Sequence, residues 1–310
     1  MRGAPNSAGP FQKKWGRASL SPLEILVRGL LFFCAALSVL TTTAIVIALV
    51  VEVDHFFDHV AVTDFLFGTE WSALIEPKKF GILPLLSGTL MIALGASAVA
   101  LPLGLGAALF LSEYVKGTKK EVMKSILEVL AGIPSVVYGF FALAFVTPQL
   151  RQVFEEVQFF NALSASIVVG IMIIPTIASM SHDAFQAVPK ELREAGYGLG
   201  ARKYQVAMTV VFPAALSGVI ASVILAFARA LGETMAVTLA AGASPSLSWN
   251  FFESVQTMTA YIVQVSLGDT PAGTIEYESI FAVGLVLLCV TLVMNIIAQF
   301  IVKRFQEKYQ

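Results

Sequence analysis

The stretch that decides the reading is PKELREAGYGLGARKYQVAMTVVFP, residues Pro189–Pro213. Proline suits the first turn of a helix, where its missing N–H has no partner to lose. Pro189 therefore predicts a helix start, which Lys190-Glu191-Leu192-Arg193-Glu194-Ala195 continues. Gly196, Gly198 and Gly200 predict a break into a turn. From Lys203 to Pro213, polar Lys203, Tyr204 and Gln205 precede an apolar stretch that Pro213 closes, the pattern of a helix lying along a membrane surface. Residues 182–213 are thus expected to form two short helices around a glycine corner.

Both flanks of this loop are apolar. Upstream, Val157–Ser181 carries no charge, and downstream Tyr204–Gly242 is interrupted only by Arg229 and Glu233. A helix needs about 20 apolar residues to cross the hydrocarbon of a bilayer. By that rule the chain predicts six spans: Gly29–Val51, Leu85–Leu111, a third from beyond Glu128 to Leu150, Val157–Ser181, Ala214 to Ala241, and Ser279–Val302. The fold class is all-α and polytopic. The organisation is a tail over 1–28, expected to be largely disordered, an anchor helix over 29–51, an outer loop over 52–84, a transmembrane domain over 85–302, and a second tail over 303–310. The anchor run is longer than the apolar core of a cleaved signal and is expected to be retained.

Composition supports a bilayer setting. Of the 310 residues, 57% are hydrophobic and 13% charged, with mean hydropathy +0.80. A soluble domain carries about a quarter charged residues, so this chain could not cover a water-facing surface, and a soluble enzyme is excluded. The apolar content excludes disorder over the whole chain. A net charge of −1 argues against a nucleic-acid partner. Cys34 and Cys289 lie inside apolar runs and read as packed or lipid-facing. His55, His59 and His182 give no HxxxH on a credible helix with a third ligand, and no metal is expected.

Orientation follows from lysine and arginine, which accumulate on the cytoplasmic side. With a cytoplasmic N-terminus, 16 of the 20 basic residues fall in cytoplasmic segments, against Lys78, Lys79 and Arg151 outside. Glu52, Asp54, Asp58, Asp64, Glu70 and Glu76 share one outer loop. Both termini are therefore expected inside.

Arg229 within a span would cost about 2.5–3.5 kcal/mol on insertion scales, so it should face a protein interior or an aqueous path. Glu233 follows four residues later, on the same face of an unbroken helix. The pair predicts either a clamp between helices or a fixed positive charge that lets an anion cross. A guanidinium suits an oxyanion, having five donors in a planar fork of which a carboxylate engages two. Glu233 could then accept a hydrogen bond from a protonated oxyanion and repel an unprotonated one. Pro134 and Pro175 each remove a helix hydrogen bond. Pro134 with Ser135 and Tyr138 predicts either a lining of the path or a packing kink.

The loop resembles the EAA loop of ABC importer permeases: Glu194-Ala195-Gly196 stands for Glu-Ala-Ala, Gly200 for its glycine, and Val210-x-Phe212-Pro213 for its end. Gly196, Val210 and Phe212 depart from that pattern in size alone. Gly132-Ile133-Pro134-Ser135-Val136-Val137-Tyr138-Gly139, Ile171–Pro175, Arg229–Val237 and Met258–Gln264 extend the likeness to phosphate permeases of the PstC type, over most of residues 80–302. That resemblance implies a MetI-like type I importer fold and alternating access. It implies a heterodimer with a PstA-type permease, a dimeric ATPase docked on the loop, and a periplasmic phosphate-binding protein. No GxxxxGK[ST] occurs, so the chain is expected to bind no cofactor and to perform no chemistry, ATP and Mg being used by the partner ATPase. The alternatives are a sulfate or molybdate permease, an ion-coupled carrier, which would often show an internal repeat, and a membrane scaffold or sensor.

Overall fold

The computed structural model describes residues 22–306, which divide into two units. The first runs to Ala48 and consists of the opening part of α1 (Pro22–His59). Beyond Arg28 it carries no charge on any face, the form of a lipid-facing helix. Thr41, Thr42 and Thr43 return their hydroxyls to carbonyls one turn back at 3.0, 2.9 and 2.8 Å, leaving no donor to desolvate.

The second unit starts at Leu49. After the end of α1 come α2 (Val62–Phe67), a two-residue antiparallel ladder of β1 (Trp71–Ser72) and β2 (Lys79–Phe80), and α3 (Leu83–Leu109), which closes in a π turn at Phe110–Tyr114. There follow α4 (Thr118–Gly132) and α5 (Ser135–Phe141), a second π turn at Ala142–Val146, α6 (Thr147–Val153), and α7 (Ala162–Ala187). The loop is α8 (Lys190–Gly198), α9 (Lys203–Val206), a third π turn at Ala207–Val211 and α10 (Phe212–Ala214). The chain ends with α11 (Leu216–Leu231), α12 (Met235–Ala240), α13 (Met258–Ser266) and α14 (Ile275–Gln306).

The core is the parallel pair α3 and α7, joined by Met91, Ile92, Ala96 and Ala100 against Ala165, Val169, Met172, Ile173 and Ile177. Small residues let the backbones approach, as expected where lipid supplies no hydrophobic drive. At Gly170 a Cβ would sit 2.9 Å from the Ala96 carbonyl oxygen, so nothing larger fits. α11 leans on both helices and is fastened to α7 by Ser181 and Ser222, whose hydroxyl oxygens lie 2.6 Å apart. Beyond one end of this pair, Phe56, Phe65, Trp71, Phe80 and Tyr261 pack edge-to-face, with Trp71 and Tyr261 centroids 4.8 Å apart. At the other end, Phe185, Val188, Val206, Val211, Ala215 and Val219 bury the base of the loop.

Four helices are long and apolar enough to span: Pro22–His59, Leu83–Tyr114, Ala162–Ala187 and Ile275–Arg304. The count reaches six when each of two bent pairs is taken as one span. The third predicted span is therefore corrected. It is not continuous from Glu128 to Leu150, because α4 and the α5–α6 segment meet at 87°. Proline pushes the residue before it out of the helical region, and Ile133 and Pro134 are both extended. The fourth span begins at Ala162 rather than Val157, capped by Asn161, whose Oδ1 accepts the Ser164 N–H at 2.7 Å. The fifth stops at Leu231, ten residues short of Ala241, and meets the α9–α10 segment at 72°. α1 starts seven residues before the expected anchor, and α14 continues past Val302 to Gln306. The expected outer loop over 52–84 is part helix and part ladder. Residues 1–21 and 307–310 lie outside the described residues.

Candidate functional site

Arg229 sits in the last turn of α11, where a cation meets the negative end of the helix dipole. Gly232 ends that helix. Glu233 consequently does not share a continuous helical face with Arg229, and the expected ion pair is absent: no carboxylate lies within salt-bridge distance of Arg229 among the described residues. Glu233 instead turns to the next helix, its Oε1 accepting the Ala236 N–H at 3.1 Å at the start of α12. Its backbone carbonyl accepts the Thr259 hydroxyl of α13 at 2.7 Å. α13 is itself tied to α3, since Thr89 Oγ1 accepts the Met258 N–H at 3.0 Å. The break at 232–234 is thus held from two sides.

The Arg229 guanidinium is exposed on this chain and donates to one side-chain group, Thr176 Oγ1 on α7, at 3.0 Å. Thr176 follows Pro175 and lines a cavity of about 290 Å³ between α4 and α7. Leu111, Leu127, Ala131 and Met180 give that cavity apolar walls, with Lys124, Glu128, Ser179 and His182 as its polar groups. Tyr138 is buried in α5, within electrostatic range of Arg229, and its hydroxyl donates to the Leu130 carbonyl at 2.9 Å, which steadies the bend after α4. Ser135 opens α5, half-buried. Of the four residues expected along a substrate path, the structure sets Tyr138 within electrostatic range of Arg229 but bonds each to a different partner, sets Ser135 one turn from Tyr138, and turns the Glu233 carboxylate toward α12.

The loop departs from its expected shape at the glycines. α8 runs through Gly196 to Gly198, and the corner is Leu199–Gly200. Gly200 has φ +79°, the left-handed region that closes a helix. Gly196 is buried where α8 crosses α9, and a Cβ there would stand 3.1 Å from Val206 Cγ2. Glu194 and Ala195 are exposed on the outer face of α8, and Pro213 sits inside α10. The corner presents Leu199, 90% exposed, with Tyr204, 65% exposed, beside it.

Sequence reasoning missed the clasp under the loop. Arg193 donates to the Phe185 and Val188 carbonyls, each at 2.6 Å, and reaches Glu113 Oε1 at 3.3 Å. Both side chains are withdrawn from solvent, 15% and 6% exposed. The only sequence signal was a carboxylate, Glu113, ending an apolar run in an otherwise basic segment; Thr176 and Thr259 carried none.

Residues 100–307 match the model of the binding-protein-dependent transport system inner membrane component family. A Bacillus subtilis protein named probable ABC transporter permease protein YqgH is 33% identical over 91% of both chains. The phosphate transport system permease protein PstC of Mesorhizobium japonicum is 32% identical over 79% of each. Among solved structures, a chain of a bacterial alginate ABC transporter superposes with TM-score 0.64 at 14% identity, covering 91% of this chain and 96% of its own, a likeness of fold alone. With the bent spans, the protruding loop and these relatives together, the chain belongs to the family of binding-protein-dependent transport system inner membrane components and is an ABC importer permease subunit similar to PstC.

Proposed function

We propose that this subunit carries inorganic phosphate into the cytoplasm. The observation that supports it is Arg229: a guanidinium at a helix break, with no carboxylate in ion-pair distance among the described residues, one donor on a hydroxyl and the others available to an anion. The PstC names of several relatives favour phosphate over other oxyanions. Sulfate or molybdate is the second reading, because a guanidinium binds any tetrahedral oxyanion by the same geometry.

The chain has no phosphate-cradling ATP loop, so ATP with Mg is assigned to a dimeric ATPase. The exposed corner of the 190–213 loop, with Glu194, Ala195 and Leu199 outward and Gly196 packed inward, is the surface offered to it. A PstA-type permease completes the pore and a phosphate-binding protein delivers from outside. Both termini are assigned to the cytoplasm on the lysine and arginine distribution. ATP-driven closure of the ATPase would move the loop and re-aim α7 and α11, exposing Arg229 first outward and then inward.

The test is uptake by the complex in proteoliposomes. Wild type should accumulate phosphate with ATP and exclude sulfate, and Arg229→Gln should assemble normally yet fail to accumulate it. Phosphate flux undiminished in Arg229→Gln would reassign the residue to structure, and sulfate uptake exceeding phosphate would favour the second reading.

A further inference from the structure

Ser112, Glu113 and Tyr114 are consecutive residues of the π turn that ends α3, and each holds a different segment of the loop region. Ser112 Oγ accepts from Gln186 Nε2, in the last turn of α7, at 3.0 Å. The Ser112 hydroxyl donates in turn to Glu113 Oε1 at 3.0 Å, the oxygen that Arg193 of α8 reaches at 3.3 Å. The Tyr114 ring, stacked on Phe110, lies 4.8 Å from Lys203 Nζ at the start of α9. The π geometry is what permits this. The Val115 N–H bonds the Phe110 carbonyl five residues back at 3.2 Å. The residue a π turn inserts rotates the side chains at the end of α3 relative to the face that precedes them, which fans Ser112, Glu113 and Tyr114 toward different neighbours.

A buried ion pair is poor evidence for stability, since an apolar pair of the same volume often serves as well. What Glu113 and Arg193 add is direction. Arg193 cannot shift without dragging the Phe185 and Val188 carbonyls and the end of α3 with it. α3 is packed along α7 and pinned to α13 through Thr89, so motion at its end reaches the helices around Arg229.

We infer that Ser112-Glu113-Tyr114 is the grip through which displacement of the 190–214 loop enters the spans, Glu113 being a positioning residue for transport rather than a contact of substrate or ATP. The inference rests on the reading that this loop docks an ATPase, and adds the residues by which its motion is passed on.

The experiment is the whole complex in proteoliposomes, with phosphate uptake and ATP turnover measured in the same vesicles. Glu113→Gln should lower phosphate moved per ATP by about tenfold, and Tyr114→Leu by about threefold, while ATP turnover stays near wild type. An unchanged ratio in these variants, or uptake and turnover falling in parallel, overturns the inference. Should Glu113→Gln not assemble, the milder Tyr114→Leu decides by the same ratio. A wild-type complex that carries sulfate in place of phosphate overturns the substrate reading alone, and the ratio is then read with sulfate.

Discussion

Arg193 and Arg229 occupy opposite kinds of site. Arg193 is nearly enclosed and engages two carbonyls and a carboxylate, so its donors are committed to the protein. Arg229 is exposed, bonds one threonine and faces no carboxylate within ion-pair distance among the described residues. The same side chain therefore serves two ends: saturated, it fixes geometry; unsaturated, it is a charge waiting for a partner. The contrast separates a residue whose loss should weaken the fold from one whose loss should stop transport.

The sharpest break in that contrast is Arg229→Gln. Removing the charge should lower phosphate flux by about 100-fold, corresponding to ~2.7 kcal/mol of lost stabilisation for the anion at its barrier, with thermal stability unchanged. Flux assays beside a melting curve check both halves. Arg193→Met should act on stability first. It strands Glu113 without its cation and releases two carbonyls, destabilising the permease by about 3 kcal/mol, read as a lowered melting temperature of the detergent-solubilised complex. A melting temperature that holds would mean the enclosed arginine is no more structural than the exposed one.

A smaller effect sharpens the loop's side of the comparison. Gly196→Ala places a methyl 3.1 Å from Val206 Cγ2, the end of a side chain with little room to yield, but gains about 1 kcal/mol of helix propensity. The two effects should nearly cancel, leaving assembly intact. Gly196→Val adds branching at the same spot and should weaken ATPase binding by prying α8 from α9. Co-purification of the ATPase with each variant distinguishes them.

Much of this was legible in the residues, for physical reasons. Apolar runs of about 20 residues read as spans because lipid leaves a chain little alternative. The loop was legible because Pro189, Gly200 and Pro213 act on their own backbone. The misreadings came where a neighbour decides. Arg229 and Glu233 share a face only if the helix persists, and it stops at Gly232, where Thr259 of α13 takes the carbonyl of Glu233. Pro134 could be read as a kink but not as an 87° bend, which leans on Tyr138 reaching back to Leu130. Glu113 and Arg193 are 80 residues apart, and nothing local announces that they meet.

The weakest expected effect lies at the opposite end from the clasp. Lys78, beside the short ladder, pairs with Glu276 at the start of α14 at 2.5 Å, with Glu76 at 3.5 Å. It is more open than the Arg193 pair, chiefly at Lys78, and an ion pair open to solvent contributes little and is screened by salt. Hydrogen bonding to Glu276 raises the Lys78 ammonium above the ordinary 10.5, a shift that burial opposes. A raised lysine stabilises the folded form fully below pH 10.5 and loses that contribution as pH climbs through the higher folded value. The link should therefore hold without change across physiological pH. Lys78→Met should leave transport intact and quicken hydrogen exchange only around residues 76–82, a difference from wild type that disappears in strong alkali. Exchange that spreads into α3, or uptake that falls, would show that this exposed pair bears on the bundle as the enclosed one does, and the distinction between saturated and unsaturated cations would lose its structural basis.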